Sequence, residues 1–108
     1  MIDKLQAISR GLSRRFPNGN TPFMIMTRLL EECGELAEQV NHFEDTGVKC
    51  LKHGEPDKTK MAKEVMDVLG CILHVVDYYD LGCELEECVE QSFQRVKQEG
   101  LVSDSEVT

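Results

Sequence analysis

Two pairs of acidic residues are the part of the sequence whose types and spacing could do chemistry. Glu32 and Glu35 form the first pair, and Glu64 and Asp67 form the second. On a helix, side chains three positions apart lie on the same side, one turn from each other. Such carboxylates repel each other unless a cation lies between them, and hard oxygen ligands favour Mg²⁺ or Mn²⁺. The sequence therefore predicts a divalent-metal site formed by these four residues.

The pattern of apolar residues indicates that both pairs lie on helices. Apolar side chains recur at steps of three and four along four segments, and no segment alternates with the period of two that is typical of a strand. We therefore predict an all-α, four-helix-bundle-like fold. Its helices are expected at roughly 2–14, 22–42, 58–80 and 84–98. The first acidic pair lies on the second of these helices, and the other pair lies on the third.

Local signals mark the ends of the helices. Thr21 precedes Pro22, which is the usual arrangement of an N-cap followed by the first residue of a helix. Glycine and proline residues interrupt the helical pattern between about 44 and 57. Because the third helix carries apolar residues over a wide face, we expect it to be the most buried of the four.

The composition argues against several classes of protein. The chain has 12 Lys and Arg against 20 Asp and Glu, hence a net charge of −8, whereas nucleic-acid binding depends on clustered basic residues. No apolar run reaches the ~18 residues of a membrane span, and the N-terminal region lacks the apolar core of a signal peptide. We therefore expect a cytoplasmic protein that binds neither nucleic acid nor membranes. Its 108 residues predict one domain over 1–100 and a flexible C-terminal tail at 101–108.

The order and spacing of the acidic pairs resemble those of a known enzyme family. E-E-x-x-E at residues 31–35 is followed, after 28 intervening residues, by E-x-x-D at residues 64–67. These motifs, and the string RLLEECGELAEQV, are similar to the MazG-type, all-α nucleoside triphosphate pyrophosphohydrolases. The resemblance covers roughly residues 20–80. It implies hydrolysis of an NTP or dNTP to the monophosphate and pyrophosphate, with Mg²⁺, or alternatively Mn²⁺, as the cofactor. The metal ligands that it implies are Glu32, Glu35, Glu64 and Asp67.

The same resemblance implies roles for other charged residues. Glu31 matches the first acidic position of the family's motif, so it is expected to bind the metal or to orient the attacking water. Lys60 stands one turn before Glu64, where similar enzymes often carry a lysine, and is expected to act in catalysis and to contact the phosphates. Arg95 and Lys97 resemble the basic residues with which the family binds phosphate. The resemblance also implies a homodimer or a homotetramer.

Other interpretations of the acidic helices stay open. The carboxylates of a solvated helix face would need no metal. A di-iron carboxylate bundle is disfavoured, because its signature is Glu-x-x-His and no glutamate of this sequence has a histidine three residues later. The main alternative is a non-catalytic, acidic helical module that oligomerises through Met- and Leu-rich faces. Such a module would also need no divalent metal.

Overall fold

Four α-helices account for most of the described chain. The computed structural model describes residues 1–44 and 54–107. In chain order the helices are α1 (Ile2–Arg15), α2 (Pro22–Phe43), α3 (Lys58–Tyr78) and α4 (Gly82–Gln98), and a short 3-10 helix follows at Asp104–Val107. No strand occurs within the described ranges. The predicted all-α fold is confirmed.

The two residues at the start of α2 fix its first turn. Thr21 has an extended backbone (φ −70°, ψ 155°), and its hydroxyl oxygen accepts a hydrogen bond from the backbone N–H of Met24 at 3.3 Å. Pro22 follows as the first helical residue, where the N–H that proline lacks would have had no partner within the helix. The predicted start of this helix is confirmed.

The boundary between α3 and α4 differs slightly from the prediction. α3 ends at Tyr78 rather than at residue 80, and α4 begins at Gly82 rather than at residue 84. Asp80 lies between them with φ +53°. This left-handed conformation is uncommon for a residue other than glycine, and a residue that adopts it cannot continue the helix, so α3 ends before Asp80.

Residues Met1–Tyr78 form a compact unit in which α3 packs against both α1 and α2. The apolar residues buried in the described part of this unit are Leu5 and Ile25. As expected from the sequence, α3 has the largest share of residues shielded from solvent among the four described helices, since more than half of its residues are half-buried, although none is fully buried. α1 and α2 cover only two sides of a helix that is apolar around most of its circumference, so Val65 and Ile72 remain exposed.

Polar contacts fix α1 against α3. The guanidinium of Arg10 donates two hydrogen bonds, of 3.1 and 3.0 Å, to the carboxylate of Asp77. One turn further along α1, Oγ of Ser13 lies 3.1 Å from Nε2 of His74. Because polar contacts depend on direction more than apolar ones do, these pairs set the register between the two helices.

The ends of the segment that joins α2 to α3 are held together. Nε2 of His42 lies 2.6 Å from the carbonyl oxygen of Gly54, and His42 itself is buried. The connecting segment predicted at about 44–57 lies largely outside the described residues, which resume at residue 54.

The second compact unit comprises Tyr79–Thr108 and contains α4 and the 3-10 helix. Nζ of Lys97 binds Oδ2 of Asp104 at 2.7 Å and so ties the two helices of this unit together. The segment predicted as a tail at 101–108 therefore includes a turn of helix. No helix in the described part of the chain combines the length and the apolar character that a membrane span requires.

Candidate metal centre

Three carboxylates meet where α2 packs against α3. Glu32 and Glu35 come from α2 and Glu64 comes from α3. Each offers one carboxylate oxygen, and these three oxygens lie within 4.8 Å of one another. The helical spacing brings the first two together, and the packing of the helices adds the third. Several hard oxygen ligands in this arrangement suit Mg²⁺ or Mn²⁺.

Two of the three carboxylates have a buried oxygen without a hydrogen-bond partner. Among the described residues, no group satisfies Oε2 of Glu32 or Oε2 of Glu64. Burying a carboxylate oxygen in this way is unfavourable unless a hydrogen bond or an opposite charge compensates it. A divalent cation between the carboxylates would supply that charge. The residues present therefore fit a metal ion, whereas the carboxylates of a solvated helix face would have water as their partner.

The pKa values of the same two residues reflect this environment. Burial is the main cause that raises the pKa of Glu32, and repulsion from Glu35 and Asp67 raises it further. Burial also raises the pKa of Glu64, with an additional contribution from Glu35 and an opposing one from Lys63. Without a cation, both carboxyls hold a proton more readily than an isolated glutamate does, and a bound cation would compete with that proton.

Asp67, the fourth predicted ligand, lies beside the cluster and is paired with a lysine. Its Oδ2 accepts a hydrogen bond of 2.9 Å from Nζ of Lys63. Asp67 is also close enough to raise the pKa of Glu32 and of Glu64. The side chain of Lys63 is 65% exposed, so its departure from Asp67 would cost little. The role of Asp67 as a metal ligand stays a prediction.

The other predicted site residues lie at exposed or half-buried positions. Glu31 and Lys60 are exposed on α2 and on α3, respectively. In the second unit, Arg95 is exposed, and Lys97 forms its ion pair with Asp104. The catalytic and phosphate-binding roles of these four residues stay predictions.

Two further residues near the cluster are not among those predicted from the sequence. Lys63 precedes Asp67 by four positions, and this spacing of opposite charges on a helix was the signal that could have identified the pair. Gln39 lies two turns after Glu32 on the same face of α2, and its Oε1 is another buried atom for which the described residues offer no partner.

A cleft of about 270 Å³ opens beside the carboxylates. Glu32 and Asp67 form part of its wall, and residues of α1, α2 and α3 form the rest. Three helices contribute to it, so no periodicity within one segment of the sequence could have indicated it.

Comparison with known proteins adds an independent finding. The model of the MazG nucleotide pyrophosphohydrolase domain matches residues 20–98, a range that includes both acidic pairs. A protein of Bacillus subtilis (strain 168) described as "Uncharacterized protein YpjD" is 41% identical over 64 residues. The alignment covers 59% of this chain, and this chain spans 55% of the length of that relative. No solved structure matches the chain.

Proposed function

Because the chain belongs to the MazG nucleotide pyrophosphohydrolase family, we propose that it is a Mg²⁺-dependent nucleoside triphosphate pyrophosphohydrolase, with Mn²⁺ as an alternative cofactor. Its reaction converts an NTP or dNTP to the monophosphate and pyrophosphate, as in the cytoplasmic house-cleaning of nucleotide pools. The observation that carries the proposal is the pair of buried, unpartnered oxygens on Glu32 and Glu64. They lie beside Glu35 in a cluster that fits a divalent cation.

In this proposal the carboxylates hold the metal and leave room for substrate oxygens. The ligands are Glu32, Glu35, Glu64 and Asp67. A metal ion held there would neutralise charge on the phosphate oxygens and would lower the pKa of a bound water. Glu31 either adds a further ligand or orients the attacking water. A chain with a net charge of −8 can bind a polyanion in this way, because the cation mediates the contact.

Basic residues are proposed to bind the phosphates of the substrate. Lys60 lies one turn before Glu64 on an exposed part of α3, from which a long side chain can reach phosphate oxygens. Arg95 and Lys97 are proposed to bind the phosphates as well. The ion pair between Lys97 and Asp104 would then exchange for a contact with substrate, at little cost for so exposed a pair.

We also propose that the protein forms a homo-oligomer. An apolar stripe on α2 is exposed over its full length, and its members recur at alternating steps of four and three. This is the spacing with which helices pack side by side in coiled coils and four-helix bundles. The stripe consists of Met26, Leu30, Cys33, Ala37 and Val40. A second copy of this chain, as a homodimer or within a homotetramer, is the partner that we propose for it.

The same stripe favours one alternative function. A non-catalytic helical module would need an exposed apolar face for assembly, and would need no metal. It leaves the buried, unpartnered oxygens of Glu32 and Glu64 without an explanation, and for this reason we rank it second.

Pyrophosphate release from a panel of ribo- and deoxyribonucleoside triphosphates, with and without Mg²⁺, tests the proposal. We expect release that requires the metal and that falls at least ~100-fold in Glu64→Gln, because the variant lacks a charged ligand of the cation. Glu86→Gln, at an exposed position of α4, is the matched control and should retain the activity. Absence of release from every nucleotide, together with absence of Mg²⁺ binding, would favour the assembly module.

A further inference from the structure

The cleft beside the carboxylates has two chemically different parts. Glu32 and Asp67, at the carboxylate cluster, form one part of its wall. Apolar side chains of α1 and α3 line much of the remainder. They are Leu5, Ile8, Leu12 and Met66. A ligand that fills the cleft therefore needs a part compatible with a metal-carboxylate site and a part that is largely apolar.

A glycine in α3 forms part of the wall of the cleft. Gly70 lines the cleft, and its carbonyl oxygen accepts a hydrogen bond of 3.4 Å from Oγ of Ser9 on α1. A Cβ atom built on Gly70 would meet nothing within 4 Å. Glycine lowers the stability of a helix by roughly 0.5–1 kcal/mol relative to alanine, and no contact of the helix requires it here. Glycine at this position therefore leaves open space at the cleft wall, where any other residue would place a side chain.

Two polar side chains of the cleft wall, Arg28 and His74, can form hydrogen bonds with the polar edge of a ligand. Nη2 of Arg28 donates a hydrogen bond of 2.7 Å to the carbonyl oxygen of Gly19. Because a guanidinium carries five N–H groups, this contact positions Arg28 without exhausting its donors.

His74 is the second polar group of the wall. Burial lowers its pKa, repulsion from Arg28 lowers it further, and Asp77 opposes this, so the imidazole is neutral at pH 7. The ring nitrogen Nε2 contacts Ser13. A neutral imidazole has one donor and one acceptor, and it therefore suits an uncharged polar ligand better than it suits a phosphate.

We propose that this cleft receives the nucleoside part of the substrate while the triphosphate lies at the carboxylate cluster, and that Gly70, Arg28 and His74 determine which nucleoside binds. The inference rests on the proposed function. A nucleoside has the required combination of an apolar ring face and a polar edge, and the negative charges of Glu32 and Asp67 repel a phosphate that is not paired with a cation. The volume of the cleft lies near the lower limit for ligand pockets, roughly 300 Å³. A cleft of this volume suits a nucleoside, which is only part of the substrate.

Filling the cleft at Gly70 tests the inference. In Gly70→Leu the new side chain extends into space that the nucleoside would occupy, so we expect KM for nucleoside triphosphates to rise at least ~10-fold, the scale of a few misplaced methylene groups in a binding pocket. Gly82→Leu is the matched control, since a Cβ at that exposed glycine also meets nothing within 4 Å. The affinity for Mn²⁺ without nucleotide, measured by electron paramagnetic resonance, should be unchanged in both variants.

The outcomes separate this inference from the proposed function. If the wild-type protein hydrolyses nucleotides and Gly70→Leu has the same KM as Gly82→Leu, the cleft does not bind the nucleoside, and the proposed function stands. A loss of Mn²⁺ affinity in Gly70→Leu would likewise overturn the inference, because the change would then act through the carboxylates. If the wild-type protein hydrolyses no nucleotide, the proposed function itself fails and the inference fails with it.

A smaller substitution provides a second measurement. Gly70→Ala adds one carbon atom where space is available, and it favours the helix, so it should fold even if the leucine variant does not. We expect a smaller rise in KM that is larger for purine than for pyrimidine nucleotides, because the larger base leaves less free space. An equal or absent effect on all nucleotides would contradict the role of Gly70 in specificity.

Discussion

The carboxyls of Glu32 and Glu64 make the stability of the metal-free protein depend on pH. Their pKa values are raised in the folded state, so the folded chain binds protons there more tightly than the unfolded chain does. The stabilisation that results is fully present below the unfolded pKa and is lost as pH rises through the raised folded value. A bound divalent cation would replace this lost stabilisation at neutral pH.

Replacement of Glu64 by glutamine should stabilise the metal-free protein. The amide is neutral at every pH, and its N–H groups can donate to a neighbouring carboxylate. We expect Glu64→Gln to melt about 4 °C above the wild-type protein at pH 7 in EDTA, since relief of one buried, unpartnered group is worth about 1 kcal/mol. The difference should shrink as pH falls towards about 4.5, the ordinary pKa of the residue. Thermal melts at several pH values measure this.

His74 changes the stability with pH in the direction opposite to that of Glu64. The wild-type protein must therefore be compared with Glu64→Gln at each pH. Its pKa is lowered in the folded state, so its neutral form is favoured and the protein loses stability as pH falls below about 6.5, the ordinary value. This contribution is common to the wild-type protein and to Glu64→Gln and cancels in the difference. A difference in melting temperature that did not change with pH would contradict the assignment of a raised pKa to Glu64.

The sequence predicted the acidic cluster from spacing but could not predict the cleft. Residues with the spacing of Glu32 and Glu35 are neighbours on any helix. The second pair comes close to them whenever α3 packs against α2. The cleft instead depends on the absence of a side chain at Gly70 and on which residues of three different helices converge. An isolated glycine within a helical pattern is a signal for close packing or function, but it does not say what occupies the space.

At the scale of elements, α2 owes its start to a single side chain. Thr21→Ala removes the hydroxyl oxygen that accepts the N–H of Met24, and we expect it to lower the free energy of unfolding by about 1 kcal/mol. Thr27→Ala is the matched control. Its exposed hydroxyl only donates back to the carbonyl oxygen of Phe23 within the helix, and its loss should change stability by less than about 0.5 kcal/mol. Urea unfolding measures both, and equal effects would contradict the capping role.

The helices and the relative burial of α3 were largely predictable, whereas the exposure of particular apolar residues was not. Period and end signals located the four described helices to within a few residues, because hydrophobic spacing and caps act locally. The end of α3 was placed too late, because the signal at Asp80 is weak: aspartate adopts the left-handed conformation seen there more readily than most residues do, but most aspartates do not adopt it. The apolar spacing identified α3 as the most buried of these helices, but it did not indicate that Val65 and Ile72 stay exposed, because spacing does not say which sides of a helix its neighbours cover.

At the scale of the whole molecule, the proposed metal site should couple ligand binding to global stability. A ligand that binds only the folded chain stabilises it by about 2.7 kcal/mol at a concentration of 100 Kd. We therefore expect saturating Mg²⁺ or Mn²⁺ to raise the melting temperature of the wild-type protein by roughly 10 °C. The shift should be lost in EDTA and should be much smaller in Glu64→Gln. An equal shift in both proteins would indicate that the ion binds elsewhere.

The proposed assembly makes a separate prediction for the stripe on α2. Leu30 is 68% exposed within the single chain, and a charge at this position would be buried between two copies. We expect Leu30→Glu to shift the protein towards the monomer in sedimentation velocity, because a buried unpaired charge strongly opposes association. Leu101→Glu is the matched control, since Leu101 is equally exposed but lies outside the stripe. A monomeric wild-type protein would contradict the proposal directly.

The contact between His42 and Gly54 makes the helical pair tolerant of change in the chain between them. This contact holds the two ends of the loop together and so offsets the main entropic cost of closing it. Each further doubling of the loop length adds only about 0.6 kcal/mol to that cost. A peptide tag or an epitope inserted between His42 and Gly54 should therefore leave the carboxylates of α2 and α3 in register.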